Sequence, residues 1–173
     1  MHNPLLSIDI SEGGDHTCFM TLSELLKPEL ILPKTVCISK DELISKLVER
    51  IYTTGQDIPL CQEDLLDIIY SREQIGGGTL LPSGLSVPHA RLKDFEGFII
   101  ALGTPAEPLF HGGLQTHMMA LMVTSQLGGP YYLPTLAALI KISKNSAYFS
   151  RLCGAKYPDD FVSMLREQDP ELA

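Results

Sequence analysis

No C-x-x-C pair occurs among the four cysteines, Cys18, Cys37, Cys61 and Cys153, so neither a zinc site nor a disulfide framework is expected. A reducing, cytoplasmic setting suits such thiols. Basic charge is short as well: 13 Lys plus Arg stand against 21 Asp plus Glu, a net charge of −8. That deficit argues against nonspecific nucleic-acid binding and against attachment to anionic membranes, because both need a basic field. No apolar run approaches the roughly 20 residues of a membrane-spanning helix, and the richest, His117 to Val123, has the length of a strand. Met1 to Met20 lacks the basic start and small-residue cleavage site of a signal peptide, and Ser11-Glu12-Gly13-Gly14-Asp15 within it is turn chemistry. Residues 1–20 are therefore expected to form a flexible tail and 169–173 a second, shorter one. Internal repeats and low-complexity tracts are lacking too.

What is present suffices for one core. The chain has 173 residues, 45% of them hydrophobic, and a domain of that size buries about 70% of its unfolded surface. Thr21 to Leu26 reads as a short helix stopped by Pro28, and Leu30-Ile31-Leu32 as a small strand ahead of Pro33. Ser39-Lys40-Asp41-Glu42 is a capping box, after which Leu43, Ile44, Leu47, Val48, Ile51 and Tyr52 share one helical face up to Gly55, predicting a helix over 40–54. A second helix is predicted over 62–71. Gly76-Gly77-Gly78 and Pro82-Ser83-Gly84 then bracket a loop or irregular hairpin. Phe98–Leu102 and Met118–Val123 read as strands buried on both faces, joined by a Pro- and Gly-containing connection. Helical spacing resumes over Leu133–Ile142, with Pro134 near the first turn, and again around Phe161, Val162 and Leu165. The expected fold is a single mixed α/β domain over 21–168.

Histidine is the first candidate for chemistry, because it alone normally changes protonation near neutral pH. His2 and His16 fall in the tail, His111 sits beside Gly112-Gly113, and His117 opens an apolar strand. None of them points to a metal site. His89 differs: it follows Gly84-Leu85-Ser86-Val87-Pro88, with Pro88 stiffening the backbone and Arg91 close by. A phosphoryl-accepting histidine needs one free ring nitrogen, the other held as N–H, and cationic or N–H donors around the incoming charge. Arg72 or Arg91, the hydroxyls of Ser86 and Thr79, and the glycine-loop N–H groups are donors of the right kind. These residues alone leave His89 open between a structural histidine and an acceptor, and the glycine loop open between turn chemistry and phosphate binding.

The stretch Arg72-Glu73-Gln74-Ile75-Gly76, followed by Gly84-Leu85-Ser86-Val87-Pro88-His89, resembles the signature of the fructose and mannitol type of enzyme IIA of the bacterial phosphoenolpyruvate:sugar phosphotransferase system, including its nitrogen-regulatory branch. The layout from about Leu22 to Leu165 resembles that family's domain as well. The resemblance implies a mixed β-sheet flanked by helices, phosphorylation of His89 by the phosphocarrier HPr or its paralogue, and Arg72 beside the active histidine. It implies no cofactor, and an enzyme IIB or a regulated protein as acceptor. Two departures stand out: Ser86 replaces the usual alanine, and Tyr132 takes the place of the family's second histidine. A phenol donates one hydrogen bond to phosphate but brings no positive charge. Since no IIB or IIC segment lies in these residues, a regulatory carrier is expected rather than a sugar-transporting one. The alternative is a regulatory binding module that kept the fold and lost phosphotransfer. A hydrolase using His89 as base would lack a paired nucleophile motif such as G-x-S-x-G.

Overall fold

A computed structural model describes residues 7–10, 18–75 and 79–168. Its centre is a mixed sheet of five strands: β3 (Ile31–Thr35), β6 (Phe98–Pro105), β9 (Met118–Ser125), and β4 (Leu85–Ser86) and β5 (His89–Leu92), which both pair with β9. β6 and β9 run antiparallel, while β3 is parallel to β6 and β4 and β5 are parallel to β9. The two long strands are buried on both sides, and their alternation divides the core. Ile100, Leu102, Met118, Ala120 and Met122 face one hydrophobic cluster, whereas Ile99, Ala101, Met119, Leu121 and Val123 face the other.

Helices cover each face. On the second face lie α2 (Lys40–Thr53) and α3 (Gln62–Gln74), with Leu43, Ile44, Leu47, Val48, Ile51, Leu65 and Ile69 buried. Ser39 caps α2 by accepting the Glu42 N–H at 3.1 Å. The Glu42 carboxylate reaches back to the Ile38 N–H at 2.8 Å, one residue before the capping-box partner expected. On the first face lie α1 (Leu22–Leu25), α4 (Gly129–Lys144), α5 (Ser146–Cys153) and α6 (Pro158–Glu167). The outcome is a single α/β domain with a mixed sheet flanked by helices.

Several elements depart from the sequence reading. Ser7–Ile10 (β1) and Cys18–Thr21 (β2), read as tail except for Thr21, pair antiparallel. The connection between β6 and β9 is itself a hairpin, β7 (Leu109–His111) with β8 (Leu114–Thr116). Pro33 lies inside β3; it is tolerated there because β3 is an edge strand, where one side needs no ladder hydrogen bond. α4 begins four residues earlier than read, so Pro130 occupies its first turn and Pro134 its interior. The Ser11–Asp15 turn, the Gly76–Gly78 loop, His2, His16 and the 169–173 tail lie outside the described residues.

Gly84 explains the glycine that opens the stretch leading to His89. Its φ of +88° suits glycine, and its carbonyl accepts the N–H groups of His117 at 2.8 Å and Met118 at 3.2 Å. A Cβ there would overlap the His117 ring and lie 3.1 Å from the Gln115 carbonyl. Gly84→Ala is expected to lose on the order of 3 kcal/mol from left-handed strain and overpacking combined. Urea unfolding would read this as a lower midpoint at unchanged slope. A variant within about 0.5 kcal/mol of the parent would contradict the close approach.

Candidate functional site

His89 opens β5 at the edge of the sheet and is 8% exposed. Its register partner on β9 is Met122, a residue of the first core face, and the ring centroid lies 5.3 Å from that of Tyr132 on α4. From the opposite layer, Arg72 near the end of α3 donates its Nε–H to His89 Nε2 at 2.7 Å. The imidazole thus stands where the two helical layers meet around the sheet edge. Its other nitrogen, Nδ1, lies 3.3 Å from the Val87 carbonyl. A carbonyl can only accept and a guanidinium can only donate, so this pair of contacts assigns the tautomer: Nδ1 carries the hydrogen, and Nε2 holds a lone pair turned toward the arginine.

The electrostatics agree with that assignment. Burial lowers the His89 pKa from the ordinary 6.5, and the charges of Arg72 and Arg91 lower it further. The Val87 bond and Glu73 oppose the shift without reversing it. His89 is therefore neutral at neutral pH, its Nε2 lone pair accepting the Arg72 N–H. Below pH 6.5 the unfolded chain takes up a proton at this site more readily than the fold does, so this contribution to stability is lost as pH falls through that region. In an NMR titration the His89 ring is expected to titrate below 6.5. A midpoint at or above that value would remove the case for a desolvated imidazole between two cations.

A cleft of about 590 Å³ opens beside the ring, lined among others by Arg72, Arg91, Thr79, Ile68 and Ile75. The Arg91 guanidinium lies 5.1 Å from the centre of the Tyr132 ring, so Tyr132 touches both the imidazole and one of its cations. Two glycines of positive φ, Gly128 and Gly129, start α4, and the Thr124 hydroxyl donates to the Gly128 carbonyl at 2.7 Å. Because Thr124 is the register partner of Arg91, this bond places the beginning of α4 beside β5.

Of the residues singled out from sequence, His89, Arg72, Arg91, Thr79 and Tyr132 come together. The structure does not bring Ser86 to the cleft. It is fully buried, pairs in register with Met119 of the second core face, and its Oγ has no hydrogen-bond partner. Those are the surroundings of a small apolar residue, which suits the alanine that the family resemblance calls for. Thr79 lines the cleft, yet its hydroxyl is committed to Glu73 Oε1 at 2.7 Å. Sequence reasoning placed Lys40 in a capping box and Glu73 in the signature stretch but missed that the two pair. Their side chains, 8% and 10% exposed, form an ion pair that joins the start of α2 to the residue after Arg72. The available signals were Glu73's place in the signature stretch and a lysine at the first position of a helix, where its charge opposes the dipole. Among the described residues no group of three or more His, Cys, Asp or Glu could hold a metal ion.

Fold and site together define a small α/β domain that presents one neutral histidine, between arginines, at the edge of its sheet. The chain belongs to the family described as "Phosphoenolpyruvate-dependent sugar phosphotransferase system, EIIA 2", whose model matches residues 24–168. It is 25% identical over 154 residues to the 2-O-alpha-mannosyl-D-glycerate-specific EIIABC component of Escherichia coli strain K12, covering 86% of this chain but only 23% of that protein. It is 23% identical over 150 residues to a nitrogen regulatory protein of Bradyrhizobium diazoefficiens, covering 84% of this chain and 95% of that one. Among solved structures, nitrogen regulatory protein IIA-Ntr of Neisseria meningitidis superposes with a TM-score of 0.67 at 18% identity, over 83% of this chain and 98% of the other. The mannitol IIA of Escherichia coli does so at 0.64 and 17%, over 81% and 98%. Among the described residues no helix is long and apolar enough to cross a membrane.

Proposed function

We propose that this protein is a phosphohistidine carrier that takes a phosphoryl group from HPr, or a paralogue of it, onto Nε2 of His89. The observation that carries this reading is the Arg72 hydrogen bond to Nε2, opposite an Nδ1 held by the Val87 carbonyl. In the transfer, the Nε2 lone pair bonds to phosphorus while the donor's N–P bond breaks and its electron pair returns to the donor imidazole. Arg72 shifts from the ring nitrogen to the phosphoryl oxygens, where Arg91 adds a second cation. His89, bearing Nδ1–H and Nε2–P, is then left with a positive charge on the ring. The Val87 carbonyl and the phosphoryl oxygens offset that charge, which also keeps the group easy to pass on. Ile68 and Ile75 present exposed apolar surface along the cleft, and Leu133 does so beside Tyr132, as befits a protein donor over a small molecule.

The test is to incubate the pure protein with phosphoenolpyruvate, enzyme I and HPr and to look for a mass gain of one acid-labile phosphate. No gain would favour the alternative, a regulatory binding module without phosphotransfer. The regulatory role is proposed on the likeness to the nitrogen regulatory relative, which this chain matches along nearly that protein's whole length. Phosphate discharged from the labelled protein onto an enzyme IIB domain would instead indicate a sugar-phosphorylating role.

Tyr132 bears on the stability of the phosphorylated state. A hydrogen bond to a charged group is worth about 1.5 to 3 kcal/mol against about 1 for a neutral one, so a histidine at 132 would add on the order of 1 kcal/mol. Tyr132→His is expected to raise phosphate occupancy several-fold at a fixed phosphoenolpyruvate to pyruvate ratio. Tyr132→Phe keeps both ring contacts but loses the phenol's donor, worth about 1 kcal/mol, so occupancy should fall several-fold. Occupancy indifferent to the histidine would rule out position 132 as a phosphate partner.

A further inference from the structure

A second cleft, of about 540 Å³, lies between the loop ahead of His89 and the junction of α4 with α5. Its donors are the Lys144 ammonium, the imidazole of His117 and the hydroxyls of Ser146 and Ser150, while Phe149 and Cys153 supply apolar wall. Burial pushes the Cys153 thiol up to about 12, so it remains neutral and acts as wall rather than nucleophile. No Asp or Glu lines this cleft, although the chain holds 21 of them against 13 Lys plus Arg. Lys144 makes no ion pair among the described residues. Two further lining residues are already satisfied: Ser83 donates to the Ser143 hydroxyl at 2.9 Å, which donates to the Ile140 carbonyl at 2.9 Å. Those bonds tie the loop to α4 and hold the cleft in shape.

We propose that this cleft binds a small organic anion, a carboxylate or a phosphate monoester with a short apolar part. Two cationic or N–H donors and two uncommitted hydroxyls suit an oxyanion, and the apolar wall suits a carbon chain. The volume falls within the range of small-molecule sites. A ligand here sits against His117, whose Cγ–Cδ2 edge packs on Gly84, at the head of the stretch that ends in His89.

The experiment is an NMR titration of the histidine ring signals of the full chain with succinate, with glycerol 3-phosphate, and with glycerol as neutral control. The His117 signals are expected to shift saturably with at least one anion, half-saturating at about 1 mM or below, and not with glycerol. Which anion acts distinguishes a carboxylate site from a phosphate site. Lys144→Gln, at an exposed position, should weaken that response about tenfold. Ring shifts absent with both anions, confined to His89, or unchanged in Lys144→Gln would overturn the proposal. No phosphoryl transfer enters this readout, so it stands or falls separately from the function assigned to His89.

Discussion

His89→Ala is expected to abolish phosphoryl uptake completely while leaving the fold in place. Among the described residues no second imidazole lines the cleft, whose other polar side chains are Asp67, Ser71, Arg72, Arg91 and a Thr79 committed to Glu73, so none can form the acid-labile N–P bond in its place. The fold survives because the side chain lies on an edge strand and its removal costs the tilted contact with Tyr132 and the bonds to Arg72 and Val87 rather than a place in either apolar core. A loss of about 1 kcal/mol in stability, the common size for a single substitution, is the expectation. Two measurements settle the matter together: phosphate incorporation by mass, and a denaturation curve showing that the variant is folded. Acid-labile phosphate persisting in the folded variant, whether on His111 of the β7–β8 hairpin or on His117, would overturn the assignment.

The largest effect on stability is expected from Glu73→Gln. Glu73 receives the Lys40 ammonium and the Thr79 hydroxyl, and both charged side chains are about nine-tenths buried. Neutralising one member leaves the ammonium without its counter-charge in a poorly solvated place, which costs about 3 to 5 kcal/mol in buried pairs. Against a typical total of about 5 to 15 kcal/mol, that is a large fraction. Replacing the pair as Lys40→Met with Glu73→Leu should cost clearly less than the single substitution, since no charge is then stranded. Chemical denaturation of the two variants beside the parent is the check. A Glu73→Gln protein as stable as the parent, or a double variant as unstable as the single one, would show that the pair is effectively solvated.

Periodicity and local chemistry explain why some of this architecture could be read in advance. The 3.6-residue spacing from Leu43 to Ile51 had one interpretation, as did the unbroken apolar runs that became β6 and β9. The Gly84 to His89 stretch singled out the histidine that the structure sets beside an arginine, and Arg72, seventeen positions upstream, was assigned to it through the family resemblance rather than through any spacing. Three kinds of feature stayed hidden. Short elements such as β7, β8 and the eight-residue α5 carry too few residues for a period to show. The Lys40–Glu73 pair joins two helices, and a charge on a helix gives no sign of whether its partner is water or a distant carboxylate. Ser86 looked like a phosphate donor because donor chemistry was all the chain disclosed; its parity in the sheet, facing Met119 and not the cleft, depends on register.

The Arg72 bond to Nε2 also has a kinetic meaning. In the resting protein the reactive lone pair is stoppered, so stray water or metal meets a guanidinium before it meets the nitrogen. Removing the stopper requires only a side-chain rotation, and Arg72 is an exposed residue. Such rotations take picoseconds to nanoseconds, far shorter than the interval between productive encounters of two proteins at micromolar concentration. In the proposed transfer the stopper therefore cannot govern turnover: opening of the site should impose no ceiling of its own on uptake as donor concentration rises.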